Sequence, residues 1–248
     1  MSLNVNQDTH RVLMEGGLTP TAAALLASDT IHHSWVAKTG NLGVANNVNP
    51  PGVALMYDGK INYIRARVGT APATTAVNLR INQLNAGTVA SANGYVPSTS
   101  MGNITYPQLV TTPPGSGARI VTCTRSTVGT ADTPGTVLVT GIDITGAAQT
   151  ETLTPGADTV LVSGTKFFAR VDTMVGSGWT IAQTADTIVF GWGAQMVIAL
   201  PVIAAAATSG VWTTAWPIVV TTGDVFTVDV TQIGTGTVGA DLAIDING

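Results

Sequence analysis

Alternation with a period of two runs through this chain from Gly52 onward, and it limits the fold more than any other feature. Val77, Leu79 and Ile81 alternate with Asn78, Arg80 and Asn82, and just before them Ile64, Ala66 and Val68 alternate with Arg65 and Arg67. Near the C-terminus Phe226, Val228 and Val230 alternate with Thr227, Asp229 and Thr231, and Leu242, Ile244 and Ile246 alternate with Ala243 and Asp245. Successive side chains of a strand point to opposite faces, so each segment sets one face on a core and the other toward solvent. The polar faces are complementary, with Arg65, Arg67 and Arg80 on the early strands and Asp229, Asp241 and Asp245 on the late ones. Opposite charges across neighbouring strands contribute about 0.2–1 kcal/mol each, which helps register, and they hint that the two ends of the chain share a sheet.

Composition agrees with strands joined by tight turns. The chain holds 28 Gly and 12 Pro, Thr and Val are abundant, and there are only two Glu and three Lys, which excludes an all-helical protein. Charge is scarce: Lys and Arg number 10 and Asp and Glu 14, so 10% of the residues are charged where a soluble domain has about 25%. Spread over a folded surface of roughly 10,000 Å², that is about one charge per 400 Å². The remaining surface is therefore built from Thr, Ser, Asn and Gln, or is buried against partners.

Several function classes drop out at this level. The net charge of −4 and the absence of any run of cations argue against nucleic acid, which calls for a basic stripe. The single Cys123 has no intrachain disulfide partner. Met1 to Gly17 shows no signal-peptide pattern, and the longest apolar run, Met196 to Ala207, is 12 residues and contains Pro201, where a span needs about 20. The expectation is a soluble chain made in the cytoplasm, with no membrane partner.

Residues 1–51 differ from the rest. Thr19 suits a cap, Pro20 a first helical position, and Thr21 to Ala27 propagates a short helix, while Gly40 to Gly52 is turn-rich, so 1–51 reads as an N-terminal arm. Thr111 to Gly117 (TTPPGSG) reads as a linker. Beyond it, strands are predicted at Arg119–Thr124, Thr136–Ile142, Gln149–Leu153, Thr159–Val162, Lys166–Met174 and Thr187–Phe190. The predicted fold is all-β: a jelly-roll-like sandwich from residues 52–110 and 202–248, with a second β-sandwich of residues 111–201 inserted in it. Long insertions in surface loops cost little closure entropy. Two consecutive sandwiches are the alternative.

Candidate chemical sites are few. Gly234 to Gly239 matches G-x-G-x-x-G, but it joins two alternating strands rather than a strand and a helix, which makes it a turn and not a dinucleotide site. His10, His32, His33 and Asp29 do not supply a zinc ligand set, and Asp241, Asp245 and Asn247 fall on strand faces rather than in a calcium loop. Cys123 lies in an alternating strand and reads as a buried structural thiol. No nucleophile elbow, zinc-protease helix or phosphate loop is present, although paired Asp residues drawn from turns stay open for a polysaccharide hydrolase. No cofactor is expected. The tryptophans fall near turns and strand ends, as core caps or as a partner-facing patch; Trp35, Trp212 and Trp216 are the interface candidates, because Trp is enriched at interface centres.

One resemblance gives these pieces a direction. Gly141-Ile-Asp143-Ile-Thr-Gly146, followed by Thr150-Glu151-Thr152, then Gly164-Thr165-Lys166-Phe167-Phe168 and Asp186-Thr187-Ile188-Val189-Phe190-Gly191-Trp192-Gly193, resembles a β-domain of tailed-phage structural proteins. Gly223 to Gly234, ending in Gly239-Ala240-Asp241-Leu242, is similar to the last two strands of phage jelly-roll domains, and Gly59 to Val68 with Val77 to Asn82 to their opening strands. Phe167 and Trp192 depart from the pattern, and the arm matches nothing in it. The resemblance implies a virion protein of a tailed phage, a non-catalytic capsid decoration or cement protein that binds the major capsid protein and copies of itself as a homotrimer. The alternative is a tail, fibre or baseplate protein stacking a host glycan on Trp179, Trp212 or Trp216; an enzyme comes third.

Overall fold

The computed structural model describes residues 5–6, 11–12, 32–41, 53–54, 59–84, 90–115, 117–128, 133–181, 185–221, 223–235 and 239–247. Among them there is no helix; the helix expected at 20–27 lies outside the described residues. In chain order the strands are β1 (Val5–Asn6), β2 (Arg11–Val12), β3 (His32–Asn41), β4 (Val53–Ala54), β5 (Gly59–Arg67), β6 (Val77–Leu84), β7 (Ser91–Ser100), β8 (Ala118–Ser126) and β9 (Thr136–Ile142). They continue with β10 (Ala148–Leu153), β11 (Val162–Phe168), β12 (Arg170–Ser177), β13 (Thr187–Ala199), β14 (Val202–Ile203), β15 (Ser209–Val220), β16 (Val225–Gln232) and β17 (Ala240–Asn247). The chain is all-β and divides into two compact units, Met1–Ala86 with Ile198–Gly248, and Gly87–Val197.

The first unit joins both ends of the chain. One sheet runs β3-β17-β5-β15, and β4, β16, β6 and β14 follow one another in the second, every pairing antiparallel. Successive strands therefore alternate between sheets, except that β6 and β14 are neighbours in one sheet, which is the order of a jelly roll, an arrangement of two Greek keys. The alternating apolar residues make the core: Ile64, Ala66, Ile244 and Ile246 on one sheet, Val77, Leu79, Ile81, Phe226 and Val228 on the other, all fully buried. The charged faces meet as the sequence suggests. Asp229 lies opposite Arg80 in register, with Arg80 Nη2 2.7 Å from Asp229 Oδ2, and Arg67 Nε lies 2.7 Å from Asp245 Oδ2.

The second unit is a smaller sandwich. Strands β11, β8, β13 and β7 pair side by side, and β10-β9-β12 forms a three-stranded sheet. Its core contains Tyr95, Val96, Tyr106, Val121, Cys123, Val139, Phe168, Met174, Trp179 and Phe190.

Five features differ from the sequence reading. The inserted unit starts at Gly87 rather than 111, because β7 pairs with β13 and buries Tyr95 and Val96; the Ser, Asn and Gly content of Ser91–Ser100 hides a strand. Part of the segment read as an arm is strand β3, an edge strand that pairs with β17 among the described strands, with Ile244 opposite Trp35. Thr159–Val160 is a turn, not a strand: Val160 N–H donates to Ala157 O at 3.1 Å, and Thr159 sits at φ 59°. Lys166–Met174 is two strands, broken at Ala169, where the chain passes from β8 as partner to β9. The glycine-rich run at 234–239 does join β16 to β17, yet these lie in different sheets, so it is a crossing between layers rather than a hairpin.

Candidate functional site

The motif residues behind the resemblance hold loops in place. Asp143 Oδ1 accepts from Thr145 N–H at 2.8 Å, Thr145 Oγ1 at 2.6 Å and Ala147 N–H at 3.0 Å, closing the β9–β10 turn, with Gly146 at φ 85°. This is the local side-chain to backbone bonding that Asp favours in turns. Glu151 on β10 reaches β11, where Oε1 accepts from Thr165 N–H at 2.6 Å, Thr165 Oγ1 at 2.9 Å and Lys166 N–H at 3.3 Å. A Cβ on Gly164 would collide with that carboxylate, which is why glycine stands there. Lys166 Nζ returns a bond to Thr150 O at 2.7 Å, and Gln149 Nε2 donates to Phe167 O at 2.5 Å. Strands β10 and β11 are thus tied by side chains. The buried Asp186 accepts from Val128 N–H at 2.6 Å and fixes the loop after β8.

The unit also buries a cation that sequence reasoning passed over. Arg119 is 0% exposed and donates from Nε to Pro114 O at 3.1 Å and from Nη1 to Gly193 O at 2.9 Å and Ala194 O at 3.0 Å. These carbonyls belong to the segment before β8 and to the register shift of β13 between Trp192 and Met196, so the guanidinium fastens one to the other. Desolvation lowers its pKa. Only the spacing of Arg119 on an otherwise apolar strand face hints at this role.

Among the described residues no three His, Cys, Asp or Glu side chains come together as a metal site. Cys123 is fully buried, and desolvation pushes its thiol up to about 11, which keeps it protonated and inert. The side chains of His10, His32 and His33 lie outside the described residues, as do those of Trp35 and Trp216.

Of the tryptophans that are described, Trp179 is 5% exposed within the core of the second unit, too deep for a stacking platform. Trp192 is half-buried, packs edge-on to Tyr95 with centroids 5.2 Å apart, and lies over Gly94, where a Cβ would strike its ring. Trp212 is half-buried on edge strand β15, opposite the buried Ile64. It contributes part of its ring, not all of it, to a surface.

Of the eleven exposed large apolar side chains among the described residues, seven lie on two segments without charge. Ile81–Ala118 and Thr187–Gly223, runs of 38 and 37 residues, contain no Asp, Glu, Lys, Arg or His. The first includes a segment that lies along the outer edge of β12, with Tyr106 N–H donating to Met174 O at 2.9 Å and Gly176 N–H to Ile104 O at 2.8 Å. It presents Leu109, 69% exposed, with Ile104 and Val110. The second run presents Val202, Val211 and Val219 on β14 and β15, each about half exposed. A scan for charge-free runs would have found both stretches in the sequence.

Set against protein-family models, curated proteins and solved structures, the chain finds no match in any of the three.

Proposed function

We propose that this chain is a non-catalytic virion structural protein, a decoration or cement protein on the head shell of a tailed phage. The observation that carries the reading is the pair of charge-free runs, which present exposed aliphatic side chains from the segment along β12 and from β14 and β15. Where such side chains form a contiguous exposed patch, they mark partner contact. The motif side chains support the same reading, since Asp143 and Glu151 bond to a turn and a sheet edge and Asp186 Oδ1 to the loop after β8.

The mechanism is mass action. Each copy buries aliphatic surface against the major capsid protein and against further copies of itself in a closed homotrimer, so the assembled shell is favoured over separated subunits. Nucleic acid, membrane and cofactor have no part in it, and the protein resides on the capsid of a virion assembled in the host cytoplasm.

Co-sedimentation with expanded shells, alongside light scattering for the oligomer, tests the proposal. Wild-type protein is a trimer that pellets with shells, and Leu109→Glu or Val211→Glu weakens pelleting without lowering Tm. A monomer that stays in the supernatant overturns it. The rival reading, a tail or fibre protein that stacks a host glycan, retains Trp212 among the described tryptophans with exposed ring surface and predicts glycan-array signals that Trp212→Ala abolishes.

A further inference from the structure

We propose that Asp224 and Gln83 form the protein side of a buried monovalent-cation site, for sodium or potassium, at the turn between β15 and β16. Both residues are 0% exposed. Asp224 Oδ2 accepts from Thr221 N–H at 2.8 Å and from Gln83 Nε2 at 2.5 Å, whereas Oδ1 accepts from no donor. Gln83 Nε2 also donates to Val219 O at 3.3 Å, and its Oε1 is likewise without a donor.

The amide cannot be turned around to cure this. Exchanging Oε1 and Nε2 would set oxygen against the Asp224 carboxylate and against the Val219 carbonyl, losing both contacts. Two buried oxygens are therefore left without a donor, each one bond angle from the same Nε2···Oδ2 contact. No Lys or Arg among the described residues forms an ion pair with Asp224. A buried carboxylate without a counter-charge is costly, and carboxylate and amide oxygens suit a hard cation. One carboxylate balances one positive charge, while calcium draws six to eight oxygens and commonly several carboxylates.

The cation would tie the β15–β16 turn to the central strand β6 and so lock one corner of the jelly roll. The inference does not rest on the virion reading. Its test is the melting temperature of the full-length protein in sodium, potassium or choline chloride at equal ionic strength. At about ten times the dissociation constant, sodium or potassium raises Tm over choline by roughly 3–6 °C. Asp224→Asn abolishes the difference, and Asp172→Asn, at an exposed ion pair in the other unit, preserves it. Should Asp224→Asn fail to fold, sodium-23 linewidths on the wild-type protein decide: excess broadening that potassium relieves supports the site. Equal Tm in the three salts, or no broadening beyond buffer, overturns it, as does a rise confined to calcium chloride.

Discussion

Removing the Asp229 carboxylate tests the jelly-roll register at its most charged point. Asp229 accepts from Arg80 Nε at 2.8 Å and from Asn82 Nδ2 at 2.9 Å, and its side chain is 3% exposed against 24% for Arg80. Asp229→Ala strips the acceptor from a half-hidden guanidinium and from a buried amide whose other acceptor is Thr227 Oγ1 at 3.3 Å. Breaking a fully buried pair costs about 3–5 kcal/mol. Arg80 keeps partial access to water, which reduces this to about 2–3 kcal/mol, or a fall in Tm of roughly 4–12 °C for a chain of this length. The internal comparison is Arg170 with Asp172, an ion pair of 2.6 Å whose side chains are 48% and 43% exposed. Asp172→Ala leaves Tm within scatter, since exposed pairs contribute little. Differential scanning calorimetry on both variants decides the matter. If Asp229→Ala melts as Asp172→Ala does, burial is not what makes the cross-strand pair matter, and the argument fails.

Three further outcomes are expected. The Cys123 thiol sits at about 11 when folded against an ordinary 9.0, so below pH 9 both states hold the proton and stability is full. From pH 9 to 11 the unfolded chain loses its proton first, and stability falls by about 3 kcal/mol. Cys123→Ala flattens that part of the Tm-against-pH curve, and an unchanged slope refutes the assignment. Thr159→Asn relieves a β-branched residue held at φ 59° and raises Tm by roughly 2–4 °C in a thermal melt, whereas a fall would show that the Thr159 contacts outweigh the strain. Gly191→Ala drives a methyl into the Ser91 backbone, unpairs β7 from β13, and opens the second unit to limited proteolysis; wild-type resistance would contradict the pairing.

How much of this was legible depended on whether a segment's periodicity expressed its own burial. Val77, Leu79 and Ile81 face a core from a central strand, so alternation alone found β6, and Phe226, Val228 and Val230 found β16 beside it. The complementary Arg and Asp faces placed the two chain ends together because charge pairing across strands is local and visible. Strand β3 was hidden because an edge strand needs only one partner, and His32–Asn41 shows no run of alternating aliphatic residues. Thr159–Val160 looked like a strand because it is β-branched, but Arg125 O accepts from Thr159 N–H at 2.8 Å and holds the segment in a turn. Glu151 and Asp186 stood out as motif residues, yet their work, tying β10 to β11 and fixing the loop after β8, depends on tertiary contacts that no spacing announces. Arg119 is betrayed only by its place on an apolar strand face, and the Asp224–Gln83 pair joins residues distant in sequence, so nothing local marks it.

The central claim is that this protein covers a shell, and its copy number per purified virion tests that most directly. Quantitative mass spectrometry against the major capsid protein should find copies comparable to the shell subunits. A handful of copies would move the protein to the tail, and none would contradict a virion role altogether.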